Sequence, residues 1–288
     1  MEILPQLIIN SLIAGSIYAI LAMSFNFIFS ATKFFNFVHG SYALIAGYAV
    51  FYFSKTLGLP VFPAVVIGIL VAGASGFIFD KLINLPLRIR KSTNTVKLVA
   101  SIGLFTIIQA FVAILFTSQF QTLSNASSNQ KIYQISSAVF TQTQLIMFVS
   151  AALIFIGLII LLKFTLFGKA INALSDDEEV AKIVGINTNK IISYVFLIGA
   201  GLAGWAGILV GFDTGIEPTM GLHLFLKAVI AAVVGGMGSV GGAFLGAFLL
   251  GFAENFGIWK ISGEWKDAIA FGLLIIFLLF RPSGIIKK

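Results

Sequence analysis

Cysteine is absent from this 288-residue chain, which excludes disulfides and thiolate metal sites. Histidine occurs only at His39 and His223, too few for a histidine-built metal centre. Charge is scarce: 10% of the residues are Asp, Glu, Lys or Arg, against about 25% in an ordinary soluble domain. A chain this poor in charge cannot cover a water-soluble globule with polar surface. The one acidic cluster, at 176–179, has no histidine near it in the sequence. Neither a catalytic group, nor a metal site, nor a cofactor held by this chain is therefore expected.

Apolar surface is what the chain has. Hydrophobic residues make up 59% of it, and the mean hydropathy is +1.05. Apolar runs suited to crossing a bilayer, which takes about 20 residues each, fall near 7–29, 40–54, 61–83, 98–117, 143–163, 191–212 and 267–280. A Gly-rich stretch at 224–253 is too long for one straight crossing and reads as two shorter helices joined at its glycines. The expected fold is an all-α integral membrane protein: a polytopic helical bundle of about 8 spans, or 8–9 counting the Gly-broken hairpin at 224–253. It reads as a single transmembrane domain over 1–288. The first apolar run has no basic residues before it and reaches about Phe29, too long for a cleaved leader.

The net charge of +7 is explained by the positive-inside rule rather than by nucleic acid. Basic residues collect at 88–97 (Arg88, Arg90, Lys91, Lys97), at 163–190 (Lys163, Lys169, Lys182, Lys190) and in the tail (Arg281, Lys287, Lys288). The polar stretch 118–141 carries only Lys131. This asymmetry puts the basic loops in the cytoplasm and 118–141 outside. It leaves the side of the N-terminus open, because 30–40 reads either as a cytoplasmic turn or as a re-entrant break.

Within the Gly-rich stretch, Gly236-Met237-Gly238-Ser239-Val240-Gly241 has the G-x-G-x-x-G form. A dinucleotide fingerprint needs a strand before it and an acid about 20 residues on. Here both flanks are spanning apolar segments. Small residues at Gly235, Ser239, Ala243, Ala247 and Gly251, and at Gly238, Gly242 and Gly246, are spaced for close helix packing in lipid. So are Gly199, Ala203, Gly207 and Gly211. Two readings stay open for Gly235, Gly236, Gly238, Gly241 and Gly242: helix packing, or a bend beside a translocation path. Asn36, His39 and Gly40, between two apolar runs, carry the same pair of readings. Lys227 is placed to snorkel to the outer boundary, and Asp213, Glu217, Glu254 and Glu264 fall at outer helix ends.

The loop at about 164–190 is the most informative polar stretch. Ser175 followed by Glu178 reads as a capping box. Asp176, Asp177 and Glu178 then occupy the positive end of a short helix, about 176–184. Gly185 is a natural stop and Asn187 leads into the next turn. The loop helix is either a capped surface element or a docking helix with a small apolar face around Ala181.

At this point the sequence resembles a family. "GKAINALSDDEEVAKIVGIN" is similar to the cytoplasmic loop of permeases in branched-chain amino acid ABC importers, at Gly168, Ala170, Ala173, Asp177, Ala181, Gly185, Ile186 and Asn187. "FFNFVHGSY" resembles the family's Asn-Phe-Ala-His-Gly segment, with Val38 in place of alanine. "LKAVIAAVVGGMGSVGGAFLGAFLLGFAE" resembles its Gly-rich segment, and "EWKDAIAFGLLIIFLLFRPSGI" its C-terminal helix and ending. The short length and the Asn-Phe-x-His-Gly form are closest to the LivH-type subunit.

The resemblance implies a multi-pass permease in a bacterial inner (plasma) membrane, which couples through the 164–190 loop to separate subunits. The implied partners are a second permease (LivM-like, or a second copy of this chain), two ATPase subunits that use the ATP, and an extracytoplasmic substrate-binding protein. The implied cargo is a branched-chain amino acid. A urea or amide importer is the nearest alternative. A self-sufficient secondary transporter or channel is the alternative from another class.

Overall fold

The structure, a computed structural model, describes residues 3–124, 131–135 and 137–286. Part of the outer stretch expected at 118–141, and Lys287 and Lys288 of the basic tail, lie outside the described residues. Twelve α-helices are present among those described: α1 Ile3–Thr32, α2 His39–Phe51, α3 Val61–Phe79, α4 Leu85–Ile89, α5 Asn94–Phe116, α6 Gln142–Phe164, α7 Leu166–Asp176, α8 Glu178–Ile183, α9 Thr188–Asp213, α10 Met220–Gly235, α11 Val240–Gly257 and α12 Lys266–Phe280. Turns of π-helix extend α2 over Tyr52–Thr56 and α3 over Asp80–Asn84. A feature the sequence did not announce is a small antiparallel hairpin in the polar stretch, β1 Ile132–Ile135 with β2 Ala138–Thr141.

Among the described residues six helices are long and apolar enough to cross a membrane: α1, α3 with its extension through α4, α5, α6, α9, and α11 with its C-terminal turn. Three apolar helices are shorter: α2, α10 and α12, of 13, 16 and 15 residues. The all-α, polytopic membrane class expected from composition is what the fold has.

The chain forms two compact units. One holds residues 27–124 and 159–225. Its centre is α2, α3 and α9, whose backbones approach through small residues. A side chain on Gly204 would press on the Cβ atoms of Ala72, at 2.6 Å, and Ala46, at 3.0 Å. One on Gly207 would run into the Ala43 backbone, and one on Gly76 into Phe196 and Ala200. In lipid such close approach replaces the hydrophobic effect as the source of helix association. The stripe Gly199, Ala203, Gly207 and Gly211 is buried throughout, as its spacing led one to expect.

The other unit holds residues 1–26, 125–158 and 226–288. Here the Gly-rich stretch is a helical hairpin, not a continuous helix. Gly236 (φ 119°) and Gly238 (φ 79°) make the turn in left-handed conformations that L side chains rarely adopt. Ser239 caps α11 by accepting from the Gly242 amide at 3.1 Å. Gly235 and Gly242 face each other backbone to backbone, and Gly246 faces Ala231 and Gly235. Asn26 of α1 donates to the Gly236 and Ser239 carbonyls, both at 2.9 Å. The amides of Ile285 and Ile286 close the end of α10 on the Val234 and Gly235 carbonyls, both at 2.9 Å. These bonds use carbonyls that a helix C-terminus leaves without partners. The expected pair of shorter helices joined at the glycines is therefore present.

Candidate functional site

The loop between α6 and α9 is built by a series of local signals. Thr165 ends the run of α6 and caps α7, its hydroxyl accepting from the Gly168 amide at 2.9 Å. The chain then folds back so tightly that a side chain at Gly168 would overlap the Leu161 carbonyl and lie 2.5 Å from Leu162 Cα. Helix α7 turns Gly168, Ile171, Leu174 and Ser175 inward. Their spacing of three and four residues marks one face. Ala170 and Ala173 are half-buried.

Here the sequence reading needs correction. Ser175 is not a cap. It sits within α7, 6% exposed, and accepts from Lys33 Nζ at 3.2 Å. The cap is Asp177, whose Oδ1 accepts from the Glu179 and Val180 amides at 2.8 and 3.0 Å. The expected short helix at about 176–184 is α8, which begins at Glu178; a helix the sequence reading did not include, α7, precedes it and runs through Asp176. An amphipathic run from Thr165 onward carries the first helix past Ser175, and the extended backbone of Asp177 restarts the second. Glu178 pairs with Lys182 at 2.7 Å one turn on.

The other end of α8 follows expectation. Gly185 is left-handed, φ 89°. Its amide reaches the Lys182 carbonyl at 3.1 Å, and the Ile186 amide reaches Ala181 at 3.0 Å. This is the paired 5→2 and 6→1 closure of a Schellman end. Asn187 then caps α9 on the Lys190 amide at 3.1 Å.

The apolar face of α8 is a second correction. Ala181 is 1% exposed and packs within the chain, so it cannot itself be a docking surface. The outward apolar residues are Val180, Ile183 and Val184, at 54%, 83% and 69% exposed. The six-residue length of α8 hid this: less than two turns gives too short a pattern to tell the inner face from the outer one.

The break after α1 lies against this loop. Lys33, itself left-handed (φ 55°), ends α1 and donates to Ser175. Asn36 is 1% exposed, and its Oδ1 accepts from the Val38 amide at 3.2 Å. The Phe37 amide donates to Ser101 Oγ at 3.2 Å. His39, fully buried, meets the Tyr42 ring edge-on with centroids 6.1 Å apart. A side chain at Gly40 would overlap the Gly221 carbonyl, so α2 and the start of α10 touch backbone to backbone. Asn36, His39 and Gly40 thus follow in the chain on Lys33, which is bonded to Ser175 of the α6–α9 loop. Gly235, Gly236, Gly238, Gly241 and Gly242 belong to the other compact unit.

Two ion-paired clusters escaped the sequence. Buried Asp80 receives Arg88 at 3.0 and 3.4 Å and the Ser193 hydroxyl at 2.7 Å. This fastens the end of α3 to α4 and to α9. In the other unit, Lys227 lies between Glu254 (2.5 Å) and Asp267 (2.8 Å), and Tyr18 donates to Glu254 at 2.7 Å. Glu254, placed by the sequence at an outer helix end, is fully buried rather than solvated. Lys227 does reach along its helix, but onto carboxylates. Partners 27 and 236 residues apart leave no local pattern to read. Among the described residues no group of three or more His, Cys, Asp or Glu side chains could hold a metal ion.

The sequence is similar to known proteins over nearly its whole length. Residues 7–278 match the family described as branched-chain amino acid transport system / permease component. The chain is 34% identical to the high-affinity branched-chain amino acid transport system permease protein BraD of Pseudomonas aeruginosa, over 98% of this chain and 95% of that one. It is 32% identical to the corresponding permease protein LivH of Escherichia coli, with the same coverage. It is also 26% identical to the fructose import permease protein FrcC of Rhizobium meliloti, over 82% of this chain and 66% of that one. No solved structure matches the chain. A multi-pass helical chain matched from Leu7 to Leu278 belongs to the family of branched-chain amino acid transport system permease components.

Proposed function

We propose that this chain is a membrane-spanning permease subunit of an ATP-binding-cassette importer that moves branched-chain amino acids across a bacterial inner membrane. It does so with a second permease (LivM-like or a second copy), two ATPase subunits that consume the ATP, and an extracytoplasmic binding protein that delivers the substrate. The chain itself binds no cofactor. The amino acid reading rests on relatives at 32% and 34% identity over nearly the full length. The fructose permease is more distant, and it shows that substrate varies within such likenesses. An amide such as urea, the alternative the family resemblance implies, stays the second reading of the cargo.

The observation that carries the coupling role is the α7–α8 excursion. It is capped at both ends, anchored to the break after α1 by Lys33, and bears Val180, Ile183 and Val184 outward. Movement of an ATPase cleft on α8 passes through α7 to Lys33 and the Asn36–Gly40 break, and through the Asn187 cap to α9.

The positive-inside rule sets this loop in the cytoplasm. The Lys33–Ser175 bond supports the same side for the break after α1. Gln6 exchanges two hydrogen bonds with Val139 of β2, at 2.8 and 3.1 Å, which supports an outer N-terminus beside the hairpin. With α2, α10 and α12 membrane-embedded beside the six long helices, nine crossings run from an outer N-terminus to an inner C-terminus.

A self-sufficient ion-coupled carrier needs titratable groups free to exchange an ion in mid-membrane. Asp80 and Glu254, the acids buried in the helices, are each held by a cation and a hydroxyl.

Ile183→Glu tests the docking role without touching the interior. The expected variant inserts and pairs with its partner permease but loses at least tenfold in ATPase retention, about 1.4 kcal/mol or more, consistent with the cost of placing an unpaired charge in an apolar contact. Co-purification of the ATPase subunit reads this out. Retention at wild-type level would show α8 to be a surface turn and place coupling elsewhere.

A further inference from the structure

The inner ends of α3 and α9 border an open hollow of about 440 Å³. Its lining is mostly polar: Lys81, Lys190, Asn187 and Asn189 meet there with the rings of Phe77 and Tyr194. The two rings lie 6.3 Å apart, and Lys81 Nζ stands 5.6 Å from the Phe77 centroid. Lysines at a membrane boundary ordinarily spread into solvent, where their ammonium groups are hydrated and apart. Here two exposed lysines, Lys81 and Lys190, border the same hollow.

The neighbouring acid does not neutralise them. Asp80 is already engaged by Arg88 and Ser193. The cavity therefore carries the charge of two ammonium groups, with amide side chains able to donate hydrogen bonds beside them. The chemistry that satisfies such a site is a phosphate-bearing anion.

What lies beyond the mouth identifies the source. Along α3, Leu70, Ala74, Phe77 and Lys81 follow helical spacing, and along α9 so do Lys190, Tyr194 and Leu197. Leu70 and Leu197 are exposed on those stripes. A basic hollow thus opens onto an apolar track running up the same two helices. Free phosphate needs only the first; a phospholipid needs both. Basic pockets between transmembrane helices on the cytoplasmic side take anionic headgroups for this reason.

We infer that the cavity between α3 and α9 binds the phosphate headgroup of an anionic phospholipid of the inner leaflet, held by Lys81 and Lys190 with its acyl chains along α3 and α9. Because Asn187 both lines the cavity and caps α9, the headgroup sits at the joint through which α8 is connected to the membrane. The inference needs only the cytoplasmic placement of the basic loops and stands apart from the identity of the cargo.

The test uses the assembled transporter, purified from membranes and returned to nanodiscs of phosphatidylglycerol mixed with phosphatidylcholine. Native mass spectrometry counts the phosphatidylglycerol retained. Wild type is expected to keep about one more tightly held anionic lipid per copy of this chain than Lys81→Gln/Lys190→Gln does. Lys91→Gln/Lys163→Gln, which removes two other exposed lysines, should retain the wild-type number. Excess inorganic phosphate should not displace the lipid. Equal retention in wild type and Lys81→Gln/Lys190→Gln would overturn the inference. So would displacement by inorganic phosphate, which makes the site one for free phosphate. Loss of the ATPase subunit with lipid retention unchanged would also overturn it, by making the lysines protein contacts.

Discussion

Lys227 shows how much a membrane interior changes the meaning of one residue. In water a lysine near a helix end needs no partner. In this chain it is 13% exposed at the side chain and clamped between Glu254 and Asp267. Burying ions is expensive, and their mutual attraction offsets that cost only while both are present. Lys227→Met would leave the fully buried Glu254 carboxylate with the Tyr18 hydroxyl as its remaining bond. We expect a loss of about 3–5 kcal/mol for that single change, and near-wild-type stability for Lys227→Met/Glu254→Gln, which removes both charges. Thermal unfolding of the purified protein checks this. Additive losses in the double variant would mean that the two residues do not act as a pair. The cluster was illegible in the sequence for a physical reason. Each charge looked like an ordinary helix-end residue, and the contacts that bury them depend on three helices arriving together.

At the scale of the element, glycine separates into two kinds. Gly246 lies where α11 meets α10, and a Cβ there would run into the Ala231 carbonyl and lie 2.6 Å from the Gly235 nitrogen. Gly103 of α5 and Gly157 of α6 have nothing within 4 Å of the same position. Gly246→Ala should therefore destabilise by about 1–3 kcal/mol through overpacking. Gly103→Ala should be neutral or raise stability by up to about 1 kcal/mol through helix propensity. Detergent thermal stability of the two variants separates them, and equal effects would remove the close-packing account. The sequence foretold the Gly-rich hairpin because its glycines were too dense, over too long an apolar stretch, for one helix. It foretold the Gly185 stop because a lone glycine after a short polar helix has few other uses. Spacing gave less at α7 and α8, where Ser175 and Asp177 were equally good caps by type. Only the packing of Ile171 and Leu174 decides that Ser175 points inward.

For the molecule as a whole, composition settled the class, and charge asymmetry indicated the sides. The N-terminus stayed open in the sequence because a turn at 30–40 and a re-entrant break share the same residues. The bonds Lys33–Ser175 and Gln6–Val139, between residues far apart in the chain, support the outer N-terminus proposed above. Single cysteines test the resulting topology cleanly, since the chain has none of its own. Ser118→Cys and Ser262→Cys, both exposed, should react with an impermeant thiol reagent in intact cells. Ser92→Cys and Val184→Cys should react only after the membrane is opened. Labelling of Val184→Cys from outside would invert the arrangement and remove α8 from reach of an ATPase.

As proposed, this chain is a permease that moves substrate only when ATPase subunits drive it. Leucine uptake into proteoliposomes tests it most directly. With the partner permease, the ATPase subunits and the binding protein present, uptake should require ATP on the side that carries α8. With this chain alone, under a proton or sodium gradient, none should occur. Gradient-driven leucine uptake by the chain alone would contradict the account.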